Sequence, residues 1–437
     1  MKKLFITLLA TILLNFVFGQ KIDIQKIDSF IDHIEENDRG IGSLSIFHDG
    51  TEIYNRSFGQ ESLPDVQYNA DTKYQIGSIT KTITAILVFK LIEKKQLNLD
   101  DKLSSFFPNL PNANKITIKN LLEHTSGLSD YANKKDSLFW LKDRVKESEI
   151  LEEIIKQGVD FEPNEKFKYS NSGYFLLTKI IEKLYNQNYF SIVDQQVVKP
   201  LKLEHFTSHS IHKINCFNSY LYTEKWEESK DLDFSNVIGV GDIAATAKDL
   251  NSLLYCLFNN QLIKKKYVKQ MMPIKKETFG RGLMLAPFYQ HNFYGHGGTT
   301  FGTNSFVAFN KKDKIGIAYS INGERYPSND FALGILSILY EKEREFPNFN
   351  SMELKEEDLE KFLGTYSTAA FPLKLTILKE KNTLKAKATG QPEFPLECYE
   401  ENKFKFEQAK IKIEFNPKDQ KLTLIQSGQR FEMTKEQ

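Results

Sequence analysis

One feature constrains the fold of this chain more than any other: strand patterns open and close its larger part, with helical pattern between them. "GSLSIFHDGTEIYNRSFG", residues 42–59, alternates apolar and polar positions on both sides of Asp49-Gly50. That dipeptide suits the left-handed two-residue turn of a hairpin. From Thr72 to about residue 265 the periodicity is mostly helical, with loops at "HTSGLSDY" and "DFEPNEK". Strand character returns at "GRGLML", "TNSFVAFN" and "KIGIAYSING", and "DFALGILSILYEK" follows as an amphipathic helix with Phe331, Leu333, Ile335, Leu336 and Leu339 apolar. Strands at both ends of a helical stretch predict one sheet closed by the two ends, with helices packed on it.

Around residue 350 the composition changes. "EREFPNFNSMELKEED" is polar and contains a proline, so it reads as a linker. Beyond it "FPLKLTILKE", "TLKAKA", "KFKFE", "AKIKIEF" and "KLTLIQ" recur with turns between them, the pattern of a small up-and-down sheet or barrel. The other end reads as an export signal, with Lys2 and Lys3 ahead of an apolar stretch from Leu4 to Phe18 and small or modest residues at Val17 to Gly19. The predicted organisation is therefore a signal peptide at 1–19, a main domain at 20–348 and a β-domain at 349–437. The mature chain then begins at Gln20 and works outside the cytoplasm, periplasmic or secreted from a bacterium. The 58 basic and 57 acidic residues nearly cancel, which gives no electrostatic case for nucleic acid or an anionic membrane surface. Cys216, Cys256 and Cys398 are too few and too scattered for a disulfide framework or a thiolate metal site. His205, His209 and His212 have helical spacing but lie in an extended-looking run without an obvious acidic partner, so no metal is expected there.

Chemistry enters at "DTKYQIGSITKTITAILVFKLIEKK", residues 71–95. Ser78 and Lys81 lie three apart where a helix begins, followed by Ile79, Ile83, Ile86, Leu87 and Leu91 at helical spacing. Residues three apart on a helix share a face, so Lys81 can reach Ser78. The free N–H groups of a helix start can receive an oxyanion, and its positive end together with burial lowers a lysine pKa towards that of a working base. A neutral amine there can take the serine proton. Ser210-x-x-Lys213 has the same spacing but no amphipathic helix after it. "KFKYSNSGYFLL" places Tyr169 and Asn171 just before a helical run, offering a phenol for proton transfer and an amide for a substrate carbonyl. Tyr131-x-Asn133 fits the same pattern, and spacing does not choose between them. His296-Gly297-Gly298 stands immediately ahead of a strand, where two glycines let a substrate backbone approach. Bare basic-x-Gly matches at His48, Lys156 and Lys314 fall at a hairpin turn, a helix end and a strand.

Taken together and in this order, Ser78-x-x-Lys81, Tyr169-Ser170-Asn171 and His296-Gly297-Gly298 resemble the motifs of serine hydrolases of the class C β-lactamase and low-molecular-weight penicillin-binding protein family. "LLEHTSGL" (121–128) and "GVGDIAATAKDL" (239–250) resemble further pieces of it. The resemblance covers about residues 25–345 and favours Tyr169 over Tyr131. It implies an α/β (α+β) fold: an antiparallel sheet flanked by helices, an all-helical subdomain beside it, and a groove between. The appended segment would be a small all-β, lipocalin-like barrel. Ser78 would form the acyl-enzyme, Lys81 and Tyr169 would share proton transfer, and His296 would complete the catalytic set. Backbone N–H groups of Ser78 and Thr299 would form the oxyanion hole, with Asn171 and Gly298 also facing substrate. Neither metal nor organic cofactor is implied; the partner is a small molecule or peptide, with no nucleic acid and no stable membrane anchor.

One departure bears on substrate. Class C β-lactamases carry Lys-Thr-Gly where this chain has His-Gly-Gly, so positive charge is reduced and Gly297 offers no hydroxyl. The expected activity is that of an exported serine hydrolase on amide or ester bonds: esterase, D-amino-acid peptidase or amidase, or β-lactamase-like. Protonation of His296 at lower pH is expected to help anionic substrates. The alternative is a slow-turnover penicillin-binding or cell-wall peptide sensor, which would keep the same side chains.

Overall fold

The computed structural model describes residues 22–63, 68–69, 71–133, 140–208, 216–223, 225–229, 232–273, 278–352, 354–426 and 428–436. The signal segment 1–19, the Ser210/Lys213 pair, His209 and His212 lie outside the described residues.

The predicted hairpin is formed by antiparallel strands Gly40–His48 and Thr51–Phe58. Asp49 and Gly50 between them both take positive φ, 49° and 82°, which matches the twist of the flanking strands. The strand Ile315–Glu324 pairs antiparallel along Gly40–His48, with Leu44 opposite Tyr319 and Ile46 opposite Ile317. The two ends of the segment therefore close one sheet, as its strand pattern predicts. The sheet continues outward from Ile315–Glu324 through Asn304–Asn310, His291–Thr299 and Met284–Phe288. A hairpin of Ser219–Tyr222 and Trp226–Ser229 joins the same sheet where Tyr220 meets Gly323. On one face the helices Ile24–Glu35 and Ser328–Leu339 pack together, Phe30 against Phe331 at 6.0 Å between ring centroids.

The other face holds the helical subdomain and the larger core. Its centre is the helix Thr80–Glu93, in which every residue from Thr80 to Phe89, and Leu91, is buried. The spacing of its apolar residues suggests one buried stripe; the helix is instead enclosed on all sides. Its threonines satisfy themselves on surrounding loops, Thr82 Oγ1 donating to Gly282 O at 2.7 Å and Thr84 Oγ1 to Gly239 O at 2.6 Å. A second sheet of three short strands, Tyr74–Gln75, Ile243–Ala245 and Phe206–Ser208, lies within the stretch that reads as mostly helical. Strands of two or three residues carry too little alternation to register.

Beyond residue 360, eight strands from Gly364–Thr368 to Gln429–Lys435 pair each with the next, and the last pairs with the first. The result is a closed up-and-down barrel filled by alternate residues such as Leu375, Ile377, Ile413, Leu424 and Met433. The segment before it is not the free linker its polarity suggests. Phe346 packs on Phe30 at 5.4 Å, and Phe349 stacks on His33 at 5.0 Å. Arg39, whose side chain is 4% exposed, donates from Nη1 to both oxygens of the barrel's Glu397 at 2.7 and 2.6 Å and from Nη2 to Phe349 O at 3.2 Å. Arg325 adds a third contact to Glu397 at 2.7 Å. Burial pushes the Glu397 carboxyl up, but Arg39 and Arg325 outweigh it and hold the pKa below its ordinary value. Among the described residues no helix is long and apolar enough to cross a membrane.

Candidate active site

The strand Tyr74–Gln75 feeds a single 3-10 turn, Gly77–Ile79, which carries Ser78 and runs straight into the helix Thr80–Glu93. Lys81 sits on the first turn of that helix and is fully buried. Its Nζ lies 2.8 Å from Ser78 Oγ and donates to Val240 O at 3.0 Å. Burial pulls its pKa from 10.5 down to about 7, against the opposing charge of Asp130. Desolvation sets this direction.

Tyr169 ends the extended segment that leads into the helix Asn171–Tyr185. Its ring lies under Lys81, with Nζ 5.1 Å from the ring centroid. Its hydroxyl is buried and completes no hydrogen bond. Burial pushes the phenol pKa well above its ordinary value, while the Ser78 hydroxyl draws it down in part. Tyr131 is placed differently. Its hydroxyl donates to Asn236 O at 2.7 Å and its ring is enclosed by Trp140 and Phe175. Of the two tyrosines that share a motif, only Tyr169 comes to the Ser78–Lys81 pair. Asn171 Nδ2 donates to Asp130 Oδ2 at 3.0 Å, and Asn171 is not among the residues that line the groove.

The His-Gly-Gly motif lies inside the strand His291–Thr299, and the predicted strand Asn304–Asn310 follows it. His296 is buried, and its Nδ1 donates to Gly297 O at 2.5 Å, which leaves Nε2 unprotonated in the neutral ring. Burial, with the Lys81 charge acting in the same direction, lowers its pKa to about 4 despite the Gly297 hydrogen bond. The two glycines are unlike. A Cβ on Gly298 would sit 1.9 Å from Ile76 O and 2.9 Å from Ser78 N, so this glycine lets the strand lie against the Ser78 turn. A Cβ on Gly297 would meet only Ser305 O, at 3.9 Å. The close approach served by Gly298 is thus first of all that of the protein's own backbone. It also brings Thr299 N beside the turn, 2.9 Å from where a Gly77 Cβ would stand.

These groups open on a cavity of about 370 Å³ lined by Ser78, Tyr169, His296, Gly297, Gly298 and Thr299 and also by the apolar or aromatic Phe279, Met284, Phe306 and Tyr319. Among the described residues its lining contains no lysine or arginine. Two larger hollows, about 780 and 770 Å³, lie at the barrel junction around Arg325 and Glu397 and beside Asp71 and His205. No group of three His, Cys, Asp or Glu side chains among the described residues is placed to hold a metal. The arrangement can deliver a serine oxygen to a carbonyl carbon, with an amine to take its proton and two backbone N–H groups nearby for the oxygen. Three neighbours escaped sequence reasoning: Asp130, the nearby charge; Phe279, an apolar wall; and His124, whose ring stacks on Tyr169 at 4.3 Å. His124 stands in a quoted motif, but its Gly127 turn suggests a structural corner.

The beta-lactamase family model matches residues 27–338. The chain is 27% identical over 294 residues to PbpX of Bacillus subtilis (strain 168), whose name places it among the penicillin-binding proteins; the match spans 66% of this chain and 71% of PbpX. It is 31% identical over 190 residues to protein flp of Staphylococcus aureus (strain MW2), spanning 42% of this chain and only 38% of that protein. Among solved structures, the octameric penicillin-binding protein homologue from Pyrococcus abyssi superposes with a TM-score of 0.64 at 24% identity, over 94% of this chain and 100% of that one. D-amino acid amidase from Ochrobactrum anthropi SV3, complexed with D-phenylalanine, gives 0.64 at 19% identity over 72% of this chain and 98% of its own. With a family match over most of its length and the same architecture in those structures, the chain belongs to the beta-lactamase family of serine hydrolases.

Proposed function

We propose that this chain is an exported hydrolase that cleaves amide or ester bonds through an acyl-enzyme on Ser78. The observation that carries this is the buried Lys81 amine, held down to about 7 and placed 2.8 Å from the Ser78 hydroxyl. Neutral Lys81, with Tyr169, takes the Ser78 proton as Oγ attacks the carbonyl carbon. The N–H groups of Ser78 and Thr299 hold the resulting oxyanion. The C–N or C–O bond then breaks, and the leaving nitrogen or oxygen receives the proton through Tyr169. Water attacks the acyl carbon, the same groups take its proton, and Ser78 is released as the hydroxyl. The buried Tyr169 hydroxyl supports this role, since it has no structural partner and the side-chain hydroxyl that acts on it is that of Ser78; leaving such a group unpaired costs about 1–3 kcal/mol in a merely structural position.

Short esters and D-amino-acid amides are the favoured substrates. A substrate carboxylate needs donors and positive charge to replace its water. His296 is neutral here, Gly297 has no hydroxyl, and the charge felt by Lys81 is the negative one of Asp130. Asn171 binds the substrate amide if it turns from Asp130. The alternative, a slowly deacylating penicillin or cell-wall peptide sensor, differs only in the fate of the acyl-enzyme. Intact mass after a fluorophosphonate and after a labelled penicillin separates the two. Labelling at Ser78 by both, with the penicillin adduct but not the phosphonyl adduct lost over time, is the expected result. Equal labelling of wild type and Ser78→Ala would refute the assignment, and stable labelling by penicillin alone would favour the sensor.

A further inference from the structure

His124 is a buried titratable group stacked against Tyr169 to which no chemical step is given. Its backbone has φ 56°, the left-handed region that side chains other than glycine and asparagine rarely enter. That turn aims the imidazole inward, where it lies between two phenol rings, Tyr169 at 4.3 Å and 25° and Tyr174 at 5.1 Å and 28°. Tyr174 is itself fixed, its hydroxyl donating to Leu122 O at 3.1 Å. The same histidine holds the backbone on both sides of Tyr169. Its carbonyl oxygen accepts from Lys168 N at 3.0 Å, and its Nδ1 accepts from Ser170 N at 3.1 Å. Tyr169 is therefore gripped at the residue before, the residue after and the ring face, all by one side chain and its own carbonyl. Such a grip has a use. The Tyr169 hydroxyl completes no strict hydrogen bond, and only the Ser78 hydroxyl draws on it, so no structural partner at its tip fixes where it points.

We propose that His124 is the positioning residue for Tyr169, a neutral imidazole that accepts the Ser170 N–H and backs the phenol ring so that its hydroxyl meets Ser78. Burial keeps the ring neutral, with the Lys81 and His296 charges acting in the same direction. An Nδ1 that accepts must be unprotonated, so the neutral ring carries its proton on Nε2. The inference rests on the role proposed for Tyr169, and its consequence is specific: His124 should matter to acylation only through Tyr169.

The test is the rate of fluorophosphonate labelling of the full chain in a double-mutant cycle. Asn at position 124 tolerates positive φ and keeps an acceptor near the Nδ1 position; Ala keeps neither the acceptor nor the ring. In the wild-type background His124→Ala should slow labelling by on the order of tenfold to a hundredfold, the range in which a misplaced proton-transfer group costs its contribution. His124→Asn should recover a large part of that loss. In a Tyr169→Phe background the two variants should label alike, and no more slowly than Tyr169→Phe alone. A structural role for His124 would slow labelling by the same factor in both backgrounds, and that result overturns the proposal. So does a His124→Asn chain that labels no faster than His124→Ala. Should His124→Ala fail to fold, the Asn variant in the two backgrounds carries the comparison. Persistence of labelling in Ser78→Ala overturns the parent assignment, whereas additive losses with labelling still confined to Ser78 overturn this inference alone.

Discussion

Tyr169 and Tyr131 share a three-residue pattern, and their environments predict opposite consequences for the same substitution. Tyr131→Phe leaves Asn236 O without its buried donor and should cost about 1–3 kcal/mol in thermal melts, with Ser78 labelling unchanged. Tyr169→Phe removes a buried hydroxyl that has no structural partner and faces only Ser78, so the melt should be unchanged or higher while acylation slows by on the order of a hundredfold. Loss of stability with full activity in Tyr169→Phe would mean the two roles are reversed. Lys81 sets the pH dependence. With its folded pKa at about 7, kcat/KM for an uncharged ester should rise with pH through that value, because only the neutral amine accepts a proton. A flat profile from pH 6 to 8 would exclude Lys81 as the base. His296 corrects an expectation from the sequence. With a pKa near 4 it stays neutral at mildly acid pH, so anionic substrates should gain nothing between pH 7 and 5.5. Its folded pKa lies below the ordinary 6.5, so the unfolded chain binds more protons between those values. The stability tied to neutral His296 is complete above 6.5 and declines as pH falls towards 4.

At the scale of the element, the strand His291–Thr299 is where backbone geometry and substrate choice meet. Gly298→Ala places a methyl 1.9 Å from Ile76 O and should separate the strand from the Ser78 turn, lowering both the melting temperature and labelling. Gly297 has room for a side chain, so His296→Lys/Gly297→Thr should fold and restore a charge and a hydroxyl to the groove. Each hydrogen bond to a charged group is worth about 1.5–3 kcal/mol, or roughly ten- to a hundredfold in kcat/KM. The wild type should therefore favour p-nitrophenyl acetate and D-Ala-p-nitroanilide over nitrocefin and a D-Ala-D-Ala peptide, and the double variant should narrow that gap. A clear wild-type preference for the carboxylates would mean that another residue binds them.

The whole molecule is held together by more than a tether. Arg39 is buried in the main body but finds its carboxylate on the barrel, and Phe346 and Phe349 anchor the connecting chain. Glu397→Ala strands that guanidinium and should cost up to about 3 kcal/mol, discounted from a fully buried pair because Glu397 is 27% exposed. Faster proteolysis between residues 340 and 355 should accompany it. Glu397 has a lowered folded pKa, so its contribution is present above the ordinary carboxylate value and is lost as pH falls through the lower one. A chain cut near residue 350 should keep a groove that Ser78 probes can label, because among the described residues none that lines it comes from the barrel, but it should melt earlier. An unreactive product would show that the barrel shapes the groove.

What the sequence determined by itself is what local pattern and chemistry can encode. Alternation and the Asp49-Gly50 turn determined the sheet closed by both ends of the main segment, and the run of short alternating strands separated by turns determined the barrel. The Ser-x-x-Lys, Tyr-x-Asn and His-Gly-Gly motifs, read together, pointed to Ser78, Tyr169, His296 and Gly298 of the groove, though not to Asn171's place outside its lining. The rest depends on groups far apart in the chain, to which periodicity is blind. Spacing alone could not rank Tyr169 above Tyr131, because the difference lies in Asn236 for one and the Ser78–Lys81 pair for the other. Neither could it foresee that the helix after Ser78 is enclosed on every face, since a stripe and a full jacket of apolar neighbours begin with the same residues. A polar linker composition could not reveal that two phenylalanines and Glu397 would pin it to Arg39 and His33. Most of all, the fall of Lys81 to about 7 and of His296 to about 4 is a property of burial, and burial exists only once the tertiary structure has removed the water.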